Sequence, residues 1–289
     1  MFAAGSRSDV ADAASARALG AIRVAGGIRA AFAAPGGLAG GMTALSDLSE
    51  RGGYRLGLPS TFALHAEAVQ VNTGGGVVGG DRLGFELAVG RGADVVYATQ
   101  AAERIYRSLG PAAEIDIHIS LGAGARLEWL PQQTILYSGA RLKRRFEIDL
   151  AADSRLLMVE TLTFGRSASG EVLGQGLIHD VWRARRDERL VYADAMRIDG
   201  DIAKLMARPA IGDGARAAGV LLYMAPDAEE QLDAVRAALD RAPCEFGASA
   251  WNGLLAVRFL GADPAGVRNG VIRAVERLSG RPLPRVWTS

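Results

Sequence analysis

At 289 residues and 49% hydrophobic composition, the chain is long and apolar enough for one large domain with a sizeable core. A formal net charge of +1 excludes recruitment of nucleic acid or an anionic membrane by bulk charge, although local runs occur at Arg141, Lys143, Arg144 and Arg145 and at Arg183, Arg185 and Arg186. A single cysteine, Cys244, and three histidines, His65, His118 and His179, leave no internal disulfide and no His/Cys metal cage, and fit a reducing, cytoplasmic setting.

The chain begins with an Ala/Gly-rich stretch. Residues 1–41 read as a flexible extension, with a helical tendency over Ser8–Ala18 that the Gly/Pro cluster before Gly41 breaks. Arg7, Asp9 and Asp12 leave no compact apolar region of the signal-peptide kind. No apolar run in the chain reaches the ~20 residues of a membrane span. Residues 42–289 read as one mainly β domain. A strand is expected from about Gly53 to Pro59, and another over Phe62–Val71.

The stretch from Gln70 to Ser108 is the most informative. Gly74, Gly76 and Gly79 satisfy G-x-G-x-x-G, but Leu83, Phe85, Leu87 and Val89 follow at a strand period instead of opening a helix. Asp81-Arg82 after Gly80 also excludes a P-loop, which needs Lys-Ser/Thr there. Gly74, Gly75, Gly76, Gly79 and Gly80 therefore read as a turn that needs positive φ and close backbone approach.

Strands follow over Ala93–Gln100, Ile115–Ile119, Leu127–Leu130, Gln133–Tyr137, Phe146–Leu150, Leu156–Phe164, Leu173–Arg185 and Arg189–Ile198, with turn residues between them. Ala101–Tyr106 fits either a helical turn or irregular chain. Leu156–Phe164 is continuously apolar, as expected of a strand covered on both faces. The end of the chain changes period. Asp227 and Glu230 form a D-x-x-E capping-box pattern before Leu232, Val235 and Leu239. Asp263-Pro264 is an N-cap with proline at the first helical position; Val267, Val271, Val275 and Leu278 follow, and Gly280 and Pro282 stop the helix. A strand over Leu254–Leu260 lies between. The fold class is mainly β: an elongated, many-stranded sheet scaffold with two α-helices near the C-terminus.

No nucleophile–base arrangement is visible, and no two carboxylates are singled out by spacing as a hydrolase pair. His118 alternates with Ile117 and Ile119 and reads as a solvent-facing strand residue; His65 reads as structural, and His179 as surface or structural. Acids in apolar or glycine-rich surroundings stand out, because such an acid needs a partner. They are Asp81, Glu103, Glu128, Glu160, Glu171, Asp180 and Asp194, with Arg82, Arg104, Arg107 and Arg166 as nearby cations. One reading makes them ion pairs and turn caps. The other makes them an oxygen-lined path for a divalent cation, since carboxylates and water hold nickel more weakly than His and Cys do.

Five blocks carry a family resemblance: NTGGGVVGGDRL through TQAAERIYRS, LEWLPQQTILYSGARL, FGRSASGE, GLIHDVWR and LPRVW. In this order and spacing they resemble the urease accessory protein family UreD, called UreH in some bacteria. The resemblance spans roughly Tyr54 to the C-terminus. It implies a non-enzymatic protein that joins a UreF-type protein and a UreG-type GTPase, docks on apo-urease and helps deliver nickel, with transient Ni²⁺ and no tightly bound cofactor. It implies that the late helices or the N-terminal extension meet the UreF-type partner. It also implies a mainly β fold with two helices near the C-terminus, and a water-filled passage for the ion. The family pattern carries an acid at the third place of the PQ-x-T block, where Gln133 stands here, so an acid-dependent role does not transfer to that position.

Overall fold

The computed structural model describes residues 23–34, 36, 42–61, 63–166, 170–171 and 173–288. The expected helix over Ser8–Ala18 lies outside them. The strands are β1 (Ala25–Ala33), β2 (Ala44–Arg51), β3 (Tyr54–Gly57), β4 (Ala66–Asn72), β5 (Arg82–Val89), β6 (Asp94–Thr99), β7 (Glu103–Ile105), β8 (Ala113–Leu121) and β9 (Arg126–Leu130). They continue with β10 (Thr134–Leu136), β11 (Arg141–Leu150), β12 (Arg155–Phe164), β13 (Gln175–Arg186), β14 (Arg189–Asp201), β15 (Ala217–Met224), β16 (Glu245–Trp251) and β17 (Leu254–Gly261). The helices are α1 (Ile202–Met206), α2 (Leu232–Leu239), α3 (Pro264–Ser279) and α4 (Arg285–Thr288).

Two large sheets face each other. One runs β14-β13-β11-β8-β5-β1-β2; the other runs β16-β17-β15-β12-β9-β6-β4-β3, with β10 and β7 branching from β12. From β5 to β13 the chain shuttles between them, so β5, β8, β11 and β13 pair in parallel in the first sheet. In the second, β4, β6, β9 and β12 do the same. The turns that carry the chain across stack on one another: Gly92 N donates to Ala123 O, and Arg126 N to Ala93 O. Gly122 is required at this stack, because a Cβ there would lie 2.9 Å from Arg91 N.

Side-chain alternation sets the layers. β5 and β8 bury every second residue, facing the second sheet, and leave the outer face of the first sheet polar and open. The second sheet is covered on both sides, which makes β12 almost continuously buried as its sequence suggested. Its inner face packs against the first sheet. Its outer face packs against α2 and α3 through Val235, Leu239, Val267, Val271 and Val275.

Three expectations are corrected. The extension over residues 1–41 is too long: Ala25–Ala33 is β1, wedged between β2 and β5, with Ile28, Ala30 and Phe32 buried. Its Ala/Gly content hid the strand, since alanine and glycine fill six of its nine positions. The Asp227/Glu230 capping box does not form. Asp227 instead accepts from the Arg155 guanidinium at 2.6 Å and the Tyr223 hydroxyl at 3.0 Å, and a 3₁₀ turn over Glu229–Gln231 leads into α2 without a side-chain cap. Ala101–Tyr106 contains neither a helical turn nor only irregular chain, because β7 pairs in parallel with β10. The α3 signals hold: Asp263 accepts from Ala265 N at 3.1 Å, and Gly280 closes the helix at φ 67°.

Candidate functional site

The seven candidate acids fall into five places. Asp81 is a clamp in the glycine turn: its two carboxylate oxygens accept from Val24 N at 2.8 Å and Val78 N at 2.9 Å, fastening the start of β1 to the turn. Around it Gly75, Gly76 and Gly80 have φ of 77°, 151° and 94°, and a Cβ on Gly79 would sit 2.0 Å from Ser108 Oγ. Gly74 N is held by Asn72 Oδ1 at 2.9 Å, so the glycines build a turn, as their sequence context indicates.

Glu103 lies beside that turn. It accepts from Asn72 Nδ2 at 2.9 Å and the Tyr54 hydroxyl at 3.2 Å; burial pushes its carboxyl up, and these bonds oppose the shift. Glu171 pairs with Arg166 at 2.8 Å, a bond that holds its carboxyl below the usual range. Arg82 pairs at 3.6 Å with Glu114 and with none of the seven acids, and Arg107 is an exposed residue bridging to Ala140.

Glu128 is buried on the outer face of the second sheet. Arg126 reaches it at 2.7 Å, Arg281 at 3.1 Å and the Ser279 hydroxyl at 2.9 Å. These groups fasten the C-terminal end of α3 to β9. Burial raises the Glu128 carboxyl against the pull of both arginines.

The remaining three acids, Glu160, Asp180 and Asp194, line one cavity of about 620 Å³ where the two sheets splay apart between the edge strands β14 and β16. Its walls are mainly apolar, from Leu162, Trp182, Met196 and Val220. Its base is built on Arg144, whose side chain is 5% exposed. Arg144 Nε and Nη2 donate to the two oxygens of Asp180 at 3.1 and 2.7 Å, and Nη1 donates to Glu160 at 2.6 Å. Trp129 Nε1 supplies Glu160 with a second bond at 2.9 Å. Because Arg144 and Asp180 are register partners on β11 and β13 while Glu160 stands on β12, the guanidinium ties the two sheets together. Burial works against the charge on Arg144, but Asp180 and Glu160 outweigh it. Burial also drives the Glu160 carboxyl upward, with Arg144 and Trp129 opposing. At the mouth Asp194 pairs with Arg258 at 2.6 Å, a second bond between the sheets.

Arg144 is the residue that sequence reading missed. It stands in a run of basic residues that reads as a solvated strand face or a protein-binding surface, because acidic Glu147 and Asp149 follow it. Yet it is in phase with Leu142, Phe146, Ile148 and Leu150, all buried, and that phase was the available signal. His118 is exposed as expected and meets Asp149 at 2.9 Å. Among the described residues no group of three or more His, Cys, Asp or Glu side chains is placed to hold a metal ion.

A family model described as "UreD urease accessory protein" matches residues 25–288, which includes β1 and every strand of both sheets. The chain belongs to the UreD family. Relatives named "Urease accessory protein UreD" are 50% identical over 255 residues in Methylobacterium sp. (strain 4-46), covering 86% of this chain and 90% of the relative. In Xanthobacter autotrophicus the figure is 50% over 250 residues, covering 86% of each. A "Urease accessory protein UreD 3" from Methylorubrum extorquens is 49% identical over 273 residues, covering 93% of this chain and 92% of the relative. These relatives are accessory proteins by name, and this UreD-family chain is accordingly not an enzyme. No described helix is long and apolar enough to cross a membrane.

Proposed function

We propose that this UreD-family chain serves urease maturation in the cytoplasm as a non-catalytic scaffold. It docks on apo-urease together with a UreF-type protein and a UreG-type GTPase, and it helps pass nickel to the urease active site. The observation that carries the reading is the family match over residues 25–288 at about half identity to named urease accessory proteins. Nickel is cargo in this reading, held by carboxylate oxygen and water, which are weak ligands for it. Glu160, Asp180 and Asp194 around the cavity between the sheets are the acids best placed to guide it. Asp81, Glu103, Glu128 and Glu171 hold turns, strands and α3 in place, and their part is to keep the scaffold in shape. Helices α2 and α3 pack over β12, β15, β16 and β17 on the outer face of the second sheet and offer a surface for the UreF-type partner.

Urease activation tests the reading. In a urease-expressing host, Glu160→Ala should lower the nickel content and activity of urease while partner binding persists. Asp81→Ala and Glu103→Ala should act only through stability. Unchanged activation by a folded Glu160→Ala variant contradicts the ion-path part of the proposal.

A second reading, a docking module with no ion path, is favoured by one observation: Arg144 already satisfies both Glu160 and Asp180. Under it, Glu160→Ala impairs partner binding and nickel transfer together.

A further inference from the structure

The glycine turn does more than fasten β1. It packs against the loop that follows β7, and together they form one end of the molecule. Tyr106 N donates to Val77 O at 2.8 Å, and the Tyr106 hydroxyl donates to Gly75 O at 3.0 Å. The loop is closed on itself: the Ser108 hydroxyl donates to Pro111 O at 2.6 Å, and Gly110 N donates to Ser108 Oγ at 3.2 Å. Ser108 N also donates to Gly139 O at 3.0 Å, which pins the loop to the turn before β11. The Tyr106 ring meets the Tyr137 ring edge-on at 4.9 Å.

Two apolar side chains stand out of this bonded base into solvent. Leu109 is 88% exposed, more than any other large apolar side chain among the described residues, and Val78 is 38% exposed. They flank the contact between Gly79 and Ser108. A single exposed leucine is ordinary, but one carried on a loop already fixed by its own hydrogen bonds costs a partner little ordering entropy to bury. The rim around it is positive. Arg104 and Arg107 are both exposed, and neither has an ion pair among the described residues. The stem of Arg107 packs on Gly139, where a Cβ would lie 2.7 Å from Arg107 Cγ. The acids of this end are spent inward: Asp81 on Val24 N and Val78 N, Glu103 on Asn72 and Tyr54. An apolar knob in a positive rim is complementary to an apolar hollow in a negative one.

We infer that the glycine-turn end is a docking surface for a protein that offers an apolar hollow to Leu109 and carboxylates to Arg104 and Arg107. The inference rests on the reading of the chain as an assembly scaffold. A scaffold joins its partners through separate surfaces. Helices α2 and α3, offered to the UreF-type partner, pack on β12, β15, β16 and β17, away from the glycine turn and β7. The glycine-turn end is therefore assigned to apo-urease.

The test is surface plasmon resonance on the immobilised full chain, with purified apo-urease and the purified UreF-type protein as separate probes. Leu109→Asp should weaken apo-urease binding at least about tenfold. Arg104→Glu combined with Arg107→Glu should slow association with apo-urease about tenfold at low salt, and the gap should close near about 1 M salt. These side chains are exposed, so the unfolding midpoint should not move. Leu190→Asp is the control: Leu190 is also exposed but stands at the opposite end, after the β13–β14 turn, and its replacement should leave binding unchanged. Undiminished apo-urease binding by Leu109→Asp overturns the inference, and so does an equal loss in Leu190→Asp. A loss that falls on the UreF-type protein instead of apo-urease overturns the assignment. A wild-type chain that binds both probes while Leu109→Asp does so equally well refutes the docking end and leaves the scaffold role standing. A wild-type chain that binds neither refutes the scaffold role and the docking end with it.

Discussion

Glu128 and Glu160 stand on the neighbouring strands β9 and β12 of one sheet and face opposite ways. Both are buried, and burial drives both carboxyls upward. Their surroundings differ in two respects. Glu128 has two arginines and a hydroxyl, one of the arginines being shared with Asp94, and it is closed over by the end of α3. Glu160 shares a single arginine with Asp180 and lies at the base of an open cavity. The same residue type on the same sheet thus serves as a fastener on one face and as a charge-deficient cavity base on the other. The number of cations per acid, together with access from solvent, separates the two roles; burial alone does not.

The sharpest way to break this contrast is to remove the one guanidinium. Arg144→Met strands two buried carboxylates and should cost roughly 3–5 kcal/mol in denaturant unfolding. A loss under 1 kcal/mol would mean that water already serves these acids. Glu128→Leu should cost less, about 1–3 kcal/mol, because Arg281 keeps Asp94 at 2.8 Å and Arg126 is already a third exposed and screened. A loss equal to that of Arg144→Met would erase the distinction between the faces. Glu160→Gln should cost least, within about 1 kcal/mol at neutral pH, because it leaves a balanced Arg144–Asp180 pair.

The same variant sharpens the contrast through pH. A carboxyl raised above its unfolded value of 4.5 binds its proton more readily in the folded chain. Its stabilising contribution is therefore full below 4.5 and is lost as pH rises through the folded value. Wild type should gain stability over Glu160→Gln as pH falls from neutral toward 4.5, read as a difference in unfolding free energy. A parallel pair of curves would remove the claim that Glu160 is raised.

Much of the fold was legible because period-2 alternation is written directly into β5, β8 and β11, and because Asp263, Pro264 and Gly280 mark α3 by local chemistry. What escaped depends on distant partners. β1 has alanine and glycine where a strand usually shows larger residues, and only its place between β2 and β5 makes it a strand. Asp227 was drawn from its local cap by Arg155, 72 residues away in sequence. The candidate acids were visible as acids in apolar company, but nothing local gathers Glu160, Asp180 and Asp194 while sending Glu128 to the other face. That grouping follows from the shuttling of the chain between the sheets. It turns on Arg144, which a charge run concealed and a strand phase would have exposed.

The most direct measurement of the charge deficit is a double-mutant cycle on the cavity base. If Glu160 and Asp180 depend on one cation, Arg144→Met combined with Glu160→Gln should be more stable than Arg144→Met alone, by at least about 1 kcal/mol. Strict additivity of the two single losses, or a double variant less stable than Arg144→Met, would contradict the account.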